Sequence, residues 1–413
     1  IRPQMTDNCR LCGEDGYKVL IDLGSQPVSH HFVETHEVAD KFPMALGQCL
    51  ICGVAQLSDP MPVESMVPKF DWIKFNEPED HLGEMVQFIS SLPGITKNSR
   101  ILGISKHDKP LLLQLSKAGF TQLNQVSARE DLDLPHENAS EALIQSNLDF
   151  PTAESILKKR GSFEIVLARR VLEHAFHGSE FLVTLKSLLS PGGLLVLEVP
   201  DCKSSFDNGD ISTLWEEHIS YFTEESLDKV LSMNGLETAQ ARVFEYPDEN
   251  ALVVAAHAAE KISEKLSKDA SEKESNRINF FVMTLTDTKR QLGEFFENYV
   301  SKGGKIVILG AGHRSCTFVN LLEIGKYLEF FVDDDPNKHS LHIPGCGLPI
   351  RNSKSLVEED ITLCLLGINP LSEERFIQNQ KEFEKKGGRF LSIAPNSSHA
   401  IRPESISLQI THA

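Results

Sequence analysis

Between residues 99 and 257, short apolar runs alternate with stretches of helical periodicity. Residues 100–104, 163–168 and 194–199 are apolar enough to be buried strands, and 111–117 and 180–189 read as helices. The turn Ser190-Pro-Gly-Gly193 feeds the third strand, and 237–244 with 251–256 reads as a closing strand pair. This alternation predicts an α/β layer fold with helices on both faces. Upstream, a helix is expected over 82–91, preceded by a loop (70–81) whose polar pair Asn76-Glu77 looks placed over a ligand, a solvated turn ended by Pro78 being the alternative. Downstream, 258–301 is polar and helical, a solvated connecting helix and then a second helix from 279 to 299. Residues 303–315 then run from buried strand through a Gly-rich turn into a helix, and a strand over 328–333 ends in acids. The pattern divides the chain into residues 1–70, 71–258 and 259–413.

One stretch breaks these periodicities. Trp215-Glu-Glu-His218, with Tyr221-Phe222 after it, lies beyond the carboxyl end of the strand 194–199 and just before a helix capped by Thr223. Open α/β sheets place ligands at that end, so a Trp, two carboxylates and a His there read as a site. A capped loop with a buried Trp and an incidental His would give the same spacing.

The first unit carries Cys9-Arg-Leu-Cys12-Gly13 and Cys49-Leu-Ile-Cys52-Gly53, two near-identical knuckles separated by 36 residues. Thiolates two residues apart can turn toward one ion, and four of them fill tetrahedral zinc with no open position, as in a structural site. A redox pair or an iron–sulfur cluster are the competing readings. His30, His31 and His36 lie between the knuckles as further candidate ligands, unneeded if the four sulfurs serve.

Composition narrows the partners. The 413 residues imply two or three domains, since single cores stop growing near roughly 250–300 residues. Lys plus Arg number 41 against 59 Asp plus Glu, a formal charge of −18 that repels nucleic acid and anionic membrane. That balance argues for a small-molecule or protein partner; no run reaches the ~18 apolar residues of a membrane helix and no secretory pattern precedes Cys9, so a cytoplasmic protein is expected. The oligomeric state is left open.

In the third unit, Gly310-Ala-Gly312 and the acids that follow residue 332 match part of a dinucleotide fingerprint, with Ser315 in place of its third glycine. Strand-to-helix packing explains those glycines equally well.

Taken together, these motifs resemble the three-domain sugar C-methyltransferases, from Cys9 to about residue 394. The paired cysteine knuckles, Ala168-Arg-Arg-Val-Leu-Glu-His174, Leu188-Leu-Ser-Pro-Gly-Gly193, Glu198-Val-Pro200, Trp215-Glu-Glu-His218, Gly310-Ala-Gly312 and Ile343-Pro-Gly-Cys-Gly-Leu-Pro-Ile350 carry the likeness. It implies a small N-terminal zinc-binding domain built on four cysteines, a central Rossmann-like methyltransferase domain using S-adenosylmethionine, and a C-terminal Rossmann-like α/β domain. It implies methylation beside a carbonyl of a nucleotide-linked sugar, with His218 as general base, Glu217 beside it and His174 facing the same crevice. Asn76, Glu77, Trp215 and Tyr221 would meet substrate; Gly103, Ser105, Asp108, Gln125, Ala168 and Arg169 would line the cofactor. Trp215 stands where that family has Tyr.

The cofactor motif departs from the family pattern acid-Ile-Gly-x-Asn-Asp-Gly. Here the stretch reads Gly103-Ile-Ser-Lys-His-Asp-Lys109, and Gln125 replaces the ribose-binding acid. A side chain at a close-approach glycine is a steric obstacle. These departures keep two alternatives in view: a relative that transfers protons or isomerises without methylating, and a non-catalytic binding protein.

Overall fold

The computed structural model describes residues 8–35, 37–73, 79–137, 139–246, 249–259 and 267–402. The central sheet places Gln122–Gln125, Arg100–Gly103, Phe163–Arg169 and Leu189–Asp201 side by side and parallel, and Asn250–Ala258 and Leu236–Phe244 close it antiparallel. Alternate strand residues serve two cores. Ile101, Ile165 and Leu167 pack with Leu111 and Leu115 of the helix Asp108–Lys117, whereas Leu102, Val166 and Ala168 pack with Leu182 and Leu185 of Gly178–Ser187. Burial on both faces is why these strands read as unbroken apolar runs. The turn expected at Ser190–Gly193 is instead absorbed into the strand as a register shift: Phe163 faces Leu189, but Ile165 faces Leu194. The chain leaves Arg100–Gly103 toward Gln122–Gln125 on one side and returns as Phe163–Arg169 on the other, which opens a crevice at the carboxyl ends.

The C-terminal sheet is wholly parallel, in the order Ile350–Arg351, Leu328–Val332, Ile306–Leu309, Leu363–Leu366, Arg389–Ser392. Its link to the middle domain corrects one expectation. Lys268–Ser301 is a single helix of 34 residues, about 51 Å long, not two. Its stripe of Ile278, Phe281, Leu285, Leu292 and Phe296 continues upstream through Glu274 and Arg277. Those charged residues are buried against Thr223 and Asp207, so polarity at that end does not mean solvation.

The small N-terminal sheet pairs Tyr17–Pro27, Lys41–Cys49 and Ala55–Leu57 antiparallel, and takes its fourth strand, Ser220–Tyr221, from the middle domain. The knuckles meet at one end of this sheet, with Sγ–Sγ distances of 3.7 Å for Cys9–Cys52 and 3.7 Å for Cys12–Cys49. Zinc–sulfur bonds of about 2.3 Å at tetrahedral angles require edges of about 3.8 Å, so the donors fit the ion. The amides of Leu11 and Ile51 and the Gln56 side chain donate to Cys9 and Cys49 sulfurs, which suits thiolates. Gly13 and Gly53 close the knuckles at φ of 73° and 82°. His30 and His31 lie elsewhere, and His36 falls outside the described residues.

One zinc per chain is the expected result of metal analysis on freshly purified protein. Cys49→Ser should release it and unfold the first 70 residues, read as protease cleavage confined to that end. Metal content well below one, or iron–sulfur absorbance, would contradict this.

Candidate active site

The loop from Trp215 to Tyr221 is fixed mainly by backbone bonds. Leu57 N–H donates to the Ile219 carbonyl (2.8 Å), Ile219 N–H to the Glu173 carbonyl (2.7 Å) and His218 N–H to the Trp215 carbonyl (3.0 Å). The Tyr221 phenol lies inside the loop, accepting from Trp215 N–H (3.2 Å) and donating to its carbonyl (3.1 Å), so it holds the turn. The Thr223 capping box then starts the helix Glu224–Met233.

This loop stands where all three domains meet. The 3-10 turn Leu172–His174 brings His174 against it, with Nδ1 2.8 Å from the Glu217 carbonyl, so Nδ1 carries the proton and Nε2 the lone pair. The His218 ring lies edge-on to His174 at 5.0 Å and 4.8 Å from Trp215, whose other side stacks on His313 of the C-terminal domain at 4.6 Å. From the N-terminal domain, Ser29 N–H donates to the Glu216 carboxylate and His30 Nδ1 sits 3.2 Å from Glu217 Oε1. His30 and His313 were missed from sequence. Only the fold brings residues 30, 217 and 313 together, and His30 had registered as a spare zinc ligand.

Glu217, His218, His174, Trp215, Lys106, Arg170 and Glu141 line a small pocket with a cavity volume of about 20 Å³. Burial pushes the Glu217 carboxyl up to about 8, with the Glu141 carboxylate adding and Lys106 opposing. Burial pushes His218 the other way, well below its ordinary value, helped by His174, His313 and Arg170. A neutral carboxylic acid and a neutral imidazole thus adjoin in the loop, the separation of ionisation that marks proton-transfer sites. Glu141 itself stays ionised: burial would raise it, but His107 at 2.9 Å and Lys106 at 3.0 Å bring it down to about 2.

The crevice beyond Arg100–Gly103 is where a nucleoside cofactor would sit. The Ser105 hydroxyl turns inward and donates to the Arg169 carbonyl at 2.7 Å, and Lys109 is exposed on the helix. Asp108, fully buried, accepts from Ile104 and Ser105 N–H (each 2.8 Å) and Arg169 N–H (3.2 Å). Burial lifts this carboxyl to about 7 against Arg169 and those amides. It occupies the space of the missing acid, since a Cβ on Gly103 would come within 2.8 Å of both Asp108 Cβ and Gln125 Oε1. Gln125 donates Nε2–H to the Ser105 carbonyl (3.0 Å) and leaves Oε1 buried with no partner among the described residues, an acceptor that a ribose hydroxyl would satisfy. On its ribose side S-adenosylmethionine would therefore have to meet Gln125, whose acceptor is buried as the structure stands. Ala168 and Arg169 are fully buried, the Arg169 guanidinium held by Glu198 (2.6 Å) and the His107 carbonyl. Glu198 also accepts from Arg170 (3.0 Å) and meets His81 (3.1 Å). Asn76 and Glu77 lie outside the described residues. Phe70 stacks on Trp72 at 5.2 Å and Trp72 on Phe32 at 5.9 Å, anchoring the start of their loop.

The Gly-rich turn of the C-terminal domain needs no ligand. Gly310 has φ of 93° and lies where a Cβ would press within 3.0 Å of the Gly367 carbonyl. Asp333 is engaged by Ala311 N–H (2.9 Å) and Lys338 Nζ (2.8 Å). What the turn does place is His313, the first residue of the helix His313–Leu321.

Three family models match in succession: a zinc binding domain over residues 9–66, a methyltransferase domain over 111–241 and a C-methyltransferase C-terminal domain over 243–395. The C-methyltransferase NovU of Streptomyces niveus is 23% identical over 411 residues, covering 96% of each chain. A ubiquinone biosynthesis O-methyltransferase of Caulobacter sp. (strain K31) is 30% identical over 99 residues, 24% of this chain and 39% of its own. Among solved structures, the CcbJ methyltransferase from Streptomyces caelestis aligns over 46% of this chain and 94% of its own, at 14% identity and a TM-score of 0.30. The zinc binding, methyltransferase and C-methyltransferase C-terminal domains thus follow one another in this order, and the chain is similar from end to end to a C-methyltransferase.

Proposed function

We propose that this protein methylates a carbon beside the carbonyl of a nucleotide-linked deoxysugar or a similar small molecule, with S-adenosylmethionine as donor. The observation that carries this reading is the neutral pair, Glu217 and His218, lining one pocket next to the cofactor crevice. His218 removes the α-proton. Its depressed pKa keeps the lone pair available across the working range but makes it a weak base, so the enolate needs help. Lys106 and Arg170, both lining the pocket, supply positive potential for the developing oxyanion. His174, its Nδ1–H fixed on the Glu217 carbonyl, and Trp215 hold the His218 ring in place. Bound beside Gln125 and Ser105, the donor supplies an electrophilic methyl group.

The test is to incubate the protein with donor and a panel of nucleoside-diphosphate deoxysugar ketones, following methyl incorporation and solvent-deuterium uptake at the α-carbon. Uptake without incorporation would select the proton-transfer alternative, and neither would sink the enzyme reading. In active protein, His218→Gln should keep its zinc and melting temperature while losing about 10²–10⁴-fold in rate. A large melting-temperature loss with a rate that only follows it would mark the His as structural.

Two predictions concern the neighbouring groups. Ser105→Gly should not tighten S-adenosylhomocysteine binding. It should cost roughly 1–3 kcal/mol of stability by stranding the buried Arg169 carbonyl. Glu217 is raised in the folded state, so the stability it lends is complete below its unfolded value of 4.5 and is lost as pH rises through about 8. Glu217→Gln, which cannot ionise, should therefore gain melting temperature relative to wild type on going from about pH 5 to about pH 9. An unchanged difference between the two pH values would refute the buried neutral carboxyl.

A further inference from the structure

Four of the described residues other than glycine lie in the left-handed backbone region: Asp133, Arg170, Glu323 and Asp360. The three acids are exposed. Arg170 is buried, follows the strand Phe163–Arg169 with φ of 52°, and stands in the wall of the active pocket. A residue with a Cβ takes that conformation when its surroundings enforce it, and such enforcement gathers at functional sites. We propose that Glu198, with His81 and Tyr246 behind it, is a positioning residue that holds Arg170 in this conformation so that its guanidinium meets the substrate carbonyl oxygen. This rests on the reading of the pocket as the place where the enolate forms.

Glu198 grips Arg170 twice. Its carbonyl takes the Arg170 backbone N–H at 2.8 Å, and its Oε1 takes the Arg170 Nε–H at 3.0 Å. Its Oε2 meets His81 Nε2 at 3.1 Å. The Tyr246 hydroxyl in turn meets His81 Nδ1 at 2.5 Å and the His81 backbone N–H at 3.1 Å. Burial would raise the Glu198 carboxyl, but Arg169, His81 and Arg170 hold it far below the ordinary carboxylate range, so it only accepts. His81 therefore donates from Nε2 and accepts at Nδ1, where Tyr246 places its hydroxyl proton. Every link from the half-buried tyrosine to the pocket wall is a hydrogen bond.

Neutralising Glu198 does not require this arrangement. Arg169 already engages it through Nε (2.6 Å) and Nη2 (3.3 Å), from ordinary strand backbone. The second arginine, in enforced backbone, lines the pocket with His218 and Lys106, near enough that its charge helps to lower the His218 pKa. A donor fixed before the substrate arrives stabilises a developing oxyanion without reorganising; a freely turning side chain does not. The Nε bond also sets the plane of the guanidinium, a hold that the single terminal nitrogen of a lysine could not provide.

Two measurements need no substrate. Arg170→Gly should melt above Arg170→Ala, because only glycine takes a φ of 52° freely; equal or reversed melting temperatures would overturn the enforced backbone. In protein labelled with ¹⁵N-arginine, the Arg170 Nε–H signal, assigned by its loss in Arg170→Gly, should exchange slowly with solvent. Tyr246→Phe should shift that signal and speed its exchange while zinc content and melting temperature hold. An unmoved signal would overturn the support from Tyr246 and His81. With a nucleoside-diphosphate deoxysugar ketone as substrate, Arg170→Gly should lose about 10²–10³-fold in kcat with KM little changed. Arg170→Lys should recover none of it, and added guanidinium should restore part of the rate to Arg170→Gly. Tyr246→Phe should lose less, again in kcat; a loss that only tracks melting temperature would make the network structural. Turnover lost in His218→Gln but kept in Arg170→Gly would leave the base standing and remove only this role.

Discussion

Two backbone pairs hold this molecule's chemistry in place. Ala55 opposite Tyr221 and Gln56 opposite Ser220 make the segment after His218 an edge strand of the zinc-bound sheet. A strand pairing fixes register to one residue, and slipping by one would turn every side chain to the opposite face. His218 is thus positioned by a ladder whose other strands are tied at one end by four cysteines. The same sheet ends its long first strand at Pro27, two residues before Ser29 and three before His30, the groups that meet Glu216 and Glu217. The four-cysteine cluster, which would hold zinc, therefore helps to place these residues from a distance.

Much of this was legible in the chain because the physics was local. Four sulfurs at knuckle spacing, strands buried on both faces and a hydroxyl cap at Thr223 each carry their own signature. The single long helix was not legible, because Glu274 and Arg277 look solvated until Thr223 and Asp207 are seen beside them. The partner of Glu217 was hidden for a related reason. A carboxylate next to a His in sequence suggests a pair, but the loop turns the Glu217 carbonyl to His174 and its carboxyl to His30. Nothing at residue 30 advertises a partner so far along the chain.

The cofactor motif shows how a pattern can mislead about space. Ser105 carries a hydroxyl where the pattern has a glycine, and its bond to the Arg169 carbonyl turns that hydroxyl into the fold. Asp108 similarly does at the helix start what an acid at the strand end would do, collecting the amides of the turn.

That exchange has a consequence for substitution at the crevice. With Asp108 and Gln125 both within 2.8 Å of where a Cβ on Gly103 would stand, an acid placed at position 103 would press on Asp108 Cβ and push the Gln125 amide aside. It would collide with its own replacement, so Gln125 and Asp108 would have to give way first. The three positions therefore behave as one unit: Gly103 keeps its lack of a side chain because Asp108 and Gln125 fill the space beside it, and a change at one is felt at the other two.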